Sequence, residues 1–259
     1  MTVGTKNKKA PFRLWSIFNS KKVAPYVFVF PFILSFLILT LYPAIQAFIM
    51  SFQKILPGQV EFIGLSNYER VFNPTFYVAL KNTVIYTILT ITILTILPII
   101  LAVFLDSKLI RLKTFYRSAL FIPALTSIVV AGIIFRLVFA DSENAIANQI
   151  VSFLGFEPFS WQSTAWSGMF IMVLIACWRW MGVNVMYFLA GLQNIPYELY
   201  ESAEIDGANS LQKFLYITLP QLKPIITFVV TISIIGGFRV FEESYVLWEA
   251  NSGGDIGLR

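Results

Sequence analysis

The chain has 259 residues, 57% of them hydrophobic and only 13% charged, with a net charge of +5 and a mean hydropathy of +0.74. That much apolar surface excludes an ordinary water-soluble domain and indicates a membrane protein. With no His and Cys177 as the single cysteine, internal disulfides, Cys/His metal sites and His-based acid–base chemistry are excluded, and no GxxxxGK[ST] motif is present to hold a nucleotide.

A bilayer crossing takes about 20 mostly apolar residues. The first such segment, 23–50, follows a basic arm over 1–22 bearing Lys6, Lys8, Lys9, Arg13, Lys21 and Lys22. Its apolar run is far longer than a signal-peptide core, so it reads as an uncleaved anchor. Residues 51–82 are expected to form an extracellular loop, and further spans are expected over 83–105, 118–140, 165–192 and 222–247. An N-terminus on the inner side also puts Lys108, Arg111, Lys113, Arg117, Lys213 and Lys223 inside, against Lys54, Arg70, Lys81 and Arg259 outside. This asymmetry obeys the positive-inside rule and accounts for the basic balance better than nucleic acid does. Trp161, Trp166 and Trp248 then fall near the outer surface, where interfacial aromatics gather. The last stretch, 248–259, reads as an interrupted external connector, with a sixth span expected beyond Arg259.

Charges inside spans are costly, about 2.5–3.5 kcal/mol for a central Arg, and point to function. Arg136 is close enough to an outer end to snorkel. Arg239 is spaced to pair with Glu243 at i,i+4, and for that group pairing and solute contact are equal readings. Arg179 lies mid-span between Trp178 and Trp180, so "CWRWMG" is expected to face a pore. Pro98 reads as an ordinary membrane-helix proline, while Pro123, beside Thr126 and Ser127, is placed to open a polar cavity.

Between the last two expected spans, residues 193–221 are conspicuously polar. Pro196 suits a first helical turn, and Glu198 the positive end of the helix dipole. Gly207 is placed to close the helix in the left-handed conformation, Asn209 or Ser210 to cap a second helix, and Pro220 to stop it. Glu198, Glu201, Glu204 and Asp206 are interleaved with Leu199, Tyr200 and Ala203, a surface suited to a soluble partner on the inner side.

The spacing Glu201-Ser202-Ala203, Gly207, then Ile217-Thr218-Leu219-Pro220 resembles the cytoplasmic signature of ABC-importer permease subunits, with Ser202 where the family has Ala. "FVFPFILSFLILTLYPAIQAFIMSF", "RSALFIPALTSIVVAGIIFRLVF" and "TISIIGGFRVFEESYVLW" resemble carbohydrate-importing permeases of the maltose-transporter kind, and within them the arabino-oligosaccharide group. The resemblance implies an all-α, type I importer fold with a transmembrane core over 78–259. It implies a coupling helix that docks in a cleft of an ATP-hydrolysing subunit through Glu198, Glu201, Ser202, Ala203, Asp206, Gly207 and Pro220. It places solute-path positions on Ala124, Ile128, Trp178, Met181, Gly182, Ser233, Gly237 and Val240, beside the Arg179 read above. The implied partners are two cytoplasmic ATP-binding subunits, a second homologous permease and an extracellular solute-binding protein. No catalytic residue, cofactor, metal or nucleic acid is implied, and the location is the bacterial cell membrane. The alternatives are an ion-coupled secondary transporter, which would need an intramembrane acidic site, and an ABC permease for a non-sugar solute.

Overall fold

The computed structural model describes residues 20–107 and 110–252, and the side chains of all of these except 249–252. The basic arm up to Asn19, Lys108 and the tail from Gly253 lie outside the described residues. The chain divides into two units, Met1–Asn73 and Pro74–Arg259.

The first unit is built on α1, Ala24–Met50, none of whose residues is buried. Its i→i+5 turn at Leu37–Leu41 closes with Tyr42 N–H donating to Leu37 O, immediately before Pro43. A proline ring clashes with the carbonyl four residues back, and a widened turn gives that carbonyl room. An antiparallel hairpin follows, β1 Gln53–Leu56 and β2 Gln59–Phe62, with Gln53 opposite Phe62. It turns at Pro57–Gly58, Gly58 taking φ +77° as a type II turn requires. Asn67, on α2 (Ser66–Val71), donates its Nδ2 to Ser51 O and Gln53 O at 3.0 Å each and pins the hairpin base. The hairpin is an addition to the all-α expectation.

The second unit begins with α3, Pro74–Asp106, whose 33 residues run about 50 Å at 1.5 Å each, well beyond the bilayer core. Helix α4, Lys113–Phe121, continues through a 3₁₀ turn at Ile122–Leu125 and then bends by 95° into α5, Ile128–Val138. The span expected over 118–140 is therefore broken, just past the Pro123 expected to kink it. Pro123 opens the tight turn, and Thr126 and Ser127 are extended with ψ of 135° and 137°. A short α6, Ile146–Phe153, precedes α7, Ala165–Gln193. Next come α8, Tyr197–Ile205, and α9, Ser210–Gln221, which bends by 64° into α10, Lys223–Phe238. The span expected over 222–247 is also interrupted. Helix α10 ends after Gly236–Gly237, poor helix formers, and α11, Glu242–Ser252, restarts on two acidic residues that favour a helix N-terminus.

Helix α7 is the centre of this unit, touching α3, α4, α5, α10 and α11. Its fully buried Ile171, Met172, Ile175, Val185 and Phe188 anchor two core clusters, one reaching Leu247 and Trp248, the other Leu222 and Val229. Among lipids, apolar burial does not distinguish a neighbouring helix from a lipid tail, so close packing and small residues decide the contacts. Gly182 lies against the backbone of Leu120, Gly237 against Thr87, and Gly132 against Val246.

At the α5–α7 connection, Asn148 is fully buried. It donates to Ser142 O at 3.0 Å and Phe159 O at 3.1 Å, and accepts from Phe159 N and Trp161 Nε1 at 2.9 Å each. Gln162 bridges to Arg136 O and Phe139 O, and its own carbonyl accepts from Trp248 Nε1 at 3.0 Å. Trp161 and Trp248 therefore tie the loop together through their indole N–H groups. Trp166 is 72% exposed.

Candidate functional site

The polar connector folds largely as its residue types require. Helix α8 ends in a Schellman motif: Gly207 takes φ +79°, its N–H donates to Glu204 O at 3.0 Å, and Ala208 N–H donates to Ala203 O at 2.8 Å. Asn209 caps α9 with a reciprocal capping box, Gln212 N to Asn209 Oδ1 at 2.9 Å and Asn209 N to Gln212 Oε1 at 2.8 Å. Pro220 does not stop this helix. An i→i+5 turn at Phe214–Thr218, closed by Leu219 N–H to Phe214 O, precedes it, as the same device precedes Pro43, and the helix runs on to the bend.

Tyr200 turns α8 toward the body, its hydroxyl sharing a 2.8 Å hydrogen bond with the buried Thr218. Ala203 is half-buried on that side, while Glu198, Glu201, Ser202 and Ile205 occupy the other face and are exposed, Ile205 to 87%. Glu204 is engaged within the chain, bridged to Lys213 Nζ at 2.6 Å. The carboxylates offered outward are thus Glu198, Glu201 and, at the helix end, Asp206. This is a short acidic ridge with an apolar tip.

A cavity of about 530 Å³ opens among α3, α7, α10 and the start of α11. Its polar lining comes from Tyr86 and Thr90 on α3, Arg179, Trp180 and Asn184 on α7, Ser233 on α10, and Arg239, Glu242 and Glu243 beyond it. Arg179 Nη1 lies 3.9 Å from Glu243 Oε1, and both side chains are largely buried. Its guanidinium carbon also sits 5.3 Å from the Trp180 ring centre, a cation–π distance. The pairing of Arg239 with Glu243 expected from their spacing does not form, because the helix is interrupted between them. Glu243 instead turns to Arg179 across the helix contact.

Of the solute-path positions, Arg179, Ser233 and Gly237 line the cavity. Trp178 faces away and packs on Phe135, ring centres 5.6 Å apart. Ile128 is in the core, with Met181 and Val240 packed against the same cluster, and Ala124 sits in the 3₁₀ turn. Gly182 is occupied by the crossing of α4.

Residues 14–247 match the family described as binding-protein-dependent transport system inner membrane component. The chain belongs to this family. The arabinooligosaccharides transport system permease protein AraP of Halalkalibacterium halodurans is 59% identical over 246 residues, covering 95% of this chain and 78% of the relative. The protein of that name from Bacillus subtilis is 62% identical over 242 residues, covering 93% and 77%. The lactose transport system permease protein LacF of Rhizobium radiobacter is 32% identical, covering 88% and 77%. A crystal structure of a bacterial ABC transporter involved in the import of the acidic polysaccharide alginate has the same fold, with a TM-score of 0.78 at 23% identity over 95% of this chain and 84% of that one.

The permease is therefore an inner-membrane subunit of a binding-protein-dependent ABC importer with the type I fold, and ATP hydrolysis belongs to a separate subunit. Sequence reasoning confined to charged groups passed over the permease's Asn184, Thr90 and Tyr86. A lone Asn in the apolar run "WMGVNVMYF" was the available signal, since a polar group in a span needs a partner or a cavity.

Proposed function

We propose that the permease imports arabino-oligosaccharides, handed to its outer mouth by an extracellular solute-binding protein, through a path shared with a second, homologous permease. The observation that carries this reading is the 59% and 62% identity to arabinooligosaccharide permeases over at least 93% of the chain. The cavity agrees in chemistry: Arg179 and Arg239 are balanced by Glu242 and Glu243, and with the ring of Trp180 and the hydroxyl of Ser233 this suits an uncharged, hydroxyl-rich solute. On this subunit the solute meets Arg179, Ser233 and Gly237, while Ala124, Ile128, Trp178, Met181, Gly182 and Val240 hold the surrounding helices in place.

Two ATP-binding subunits dock from the cytoplasm, one of them on α8, within the coupling loop 193–221. The exposed face of Glu198, Glu201, Ser202 and Ile205 enters their cleft, its carboxylates meeting basic groups, and the Schellman end at Gly207 keeps the ridge stiff enough to pass on a push. The N-terminus is cytoplasmic, following the distribution of Lys and Arg.

The test is uptake of labelled arabinotriose into vesicles holding the full transporter. Uptake is expected to need internal ATP and the binding protein and to be insensitive to uncoupler. Collapse with uncoupler at constant ATP would favour an ion-coupled carrier, and uptake of lactose without arabinotriose would reassign the solute. Glu201→Lys is expected to lose the ATPase on purification. A variant that retains the ATPase and transports fully would remove the docking role.

A further inference from the structure

Helix α3 carries Pro98, whose side chain is fully buried. Proline has no N–H, so the carbonyl of Leu94, four residues earlier, receives no helical hydrogen bond from that position. In the structure Asn184 of α7 supplies the missing donor: its Nδ2 lies 2.9 Å from Leu94 O, 90 residues away in sequence. Leu94 and Asn184 are 5% and 8% exposed, and both line the cavity. The hydroxyls of Thr87 and Thr90 are engaged within α3, to Thr83 O at 2.7 Å and Tyr86 O at 2.8 Å, whereas the buried hydroxyl of Thr95, next to Leu94, has no partner among the described residues. Asn184 thus ties the backbone of α3 to α7 at the cavity wall.

We propose that Pro98 and Asn184 act as a releasable latch in the transport cycle, the proline removing a permanent intrahelical bond so that an interhelical one takes its place. The physical difference lies in what happens when the helices move. A bond within α3 persists in every arrangement of the helices and resists none. A bond between α3 and α7 is made in one arrangement and broken in another, and it opens onto a cavity where water or a solute hydroxyl can donate to Leu94 O instead. Apolar packing alone offers no such exchange of partners. Asn184 is a positioning residue, acting through α3, whether or not it also touches solute. It stands one helical turn from Trp180 and close along the helix to Arg179, so release of α3 alters the wall that presents both. This role rests on the importer reading above.

The experiment is a double-mutant cycle on the full transporter, read by thermal midpoint and by arabinotriose uptake. Asn184→Leu, which removes the donor while keeping the branch at Cγ, is expected to lower the midpoint by several degrees. In Pro98→Ala/Asn184→Leu the backbone N–H restored at position 98 reaches Leu94 O, so about half or more of that loss is expected to return. The maximal uptake rate of the double variant is nevertheless expected to stay lowered by about threefold or more, with the half-saturating concentration little changed. Pro98→Ala alone removes two buried ring carbons but restores the helical N–H, and is expected to fold with a reduced maximal rate. A double variant no more stable than Asn184→Leu would show that the amide does not serve Leu94 O. Wild-type uptake in the double variant, or in Pro98→Ala alone, would reduce the pair to a structural repair and overturn the latch. Wild-type permease that takes up no arabinotriose would count against the solute reading alone, because the thermal arm needs no solute.

Discussion

Gly182 offers a sharp test of how the central helices pack. A methyl group there would run into the carbonyl of Leu120 and stand 2.8 Å from Phe121 N, where ordinary contact begins at 3.4 Å. Both obstacles are backbone atoms, so no side chain can swing aside, and α4 must retreat from α7 by more than the 0.6 Å difference. Overpacking of this kind costs about 1–3 kcal/mol, and more where backbone must move. Alanine recovers about 1 kcal/mol of helix propensity over glycine. The net expectation for Gly182→Ala is a loss of about 2 kcal/mol. Gly236→Ala is the control, since it gains the same propensity and meets nothing within 4 Å. It should be neutral or slightly stabilising. Thermal unfolding can be followed on the complex with cysteine-free partners, using the reactivity of Cys177, the permease's single, buried thiol. Gly182→Ala as stable as wild type, or Gly236→Ala equally damaging, would refute the close crossing. It would also return Gly182 to consideration as a solute contact.

Asn148→Ala should cost about 3 kcal/mol, because it orphans the carbonyls of Ser142 and Phe159 together with the Trp161 and Phe159 N–H groups; limited proteolysis across 140–163 and the thermal midpoint report it. Gly207→Ala forces a Cβ into the left-handed region at about 1–2 kcal/mol, and should weaken ATPase coupling more than it lowers the unfolding midpoint of the spans, with Gly207→Asn milder. Equal loss of coupling in the Ala and Asn variants would place the requirement elsewhere than in the backbone angle.

Much of the connector was legible because its rules are short-ranged. Gly207 and Asn209 act on backbone groups within a turn of themselves, so their residue types nearly dictate the end of α8 and the start of α9, while Pro196 stands at the N-cap of α8, just before the first turn expected of it. Pro220 misled because a widened turn just before it accommodates its ring, and the same turn before Pro43 carries no plainer mark. The breaks at Thr126–Ser127 and after Gly237 were hidden for a different reason. Hydropathy reports how much apolar length is available, and an interrupted helix has as much of it as a straight one.

By itself the sequence determined that this is a membrane protein, roughly where its apolar segments lie, and how its polar connector is capped, since bilayer thickness and local hydrogen bonding act on contiguous residues. Only the tertiary structure decided that Trp180 rather than its neighbour Trp178 lines the cavity, that Glu243 turns to Arg179 rather than Arg239, and that Asn184 completes Leu94. Each of these depends on the angle and rotation at which helices far apart in the chain cross, and those are set by close packing of small residues such as Gly182 and Gly237, whose effect no local pattern records.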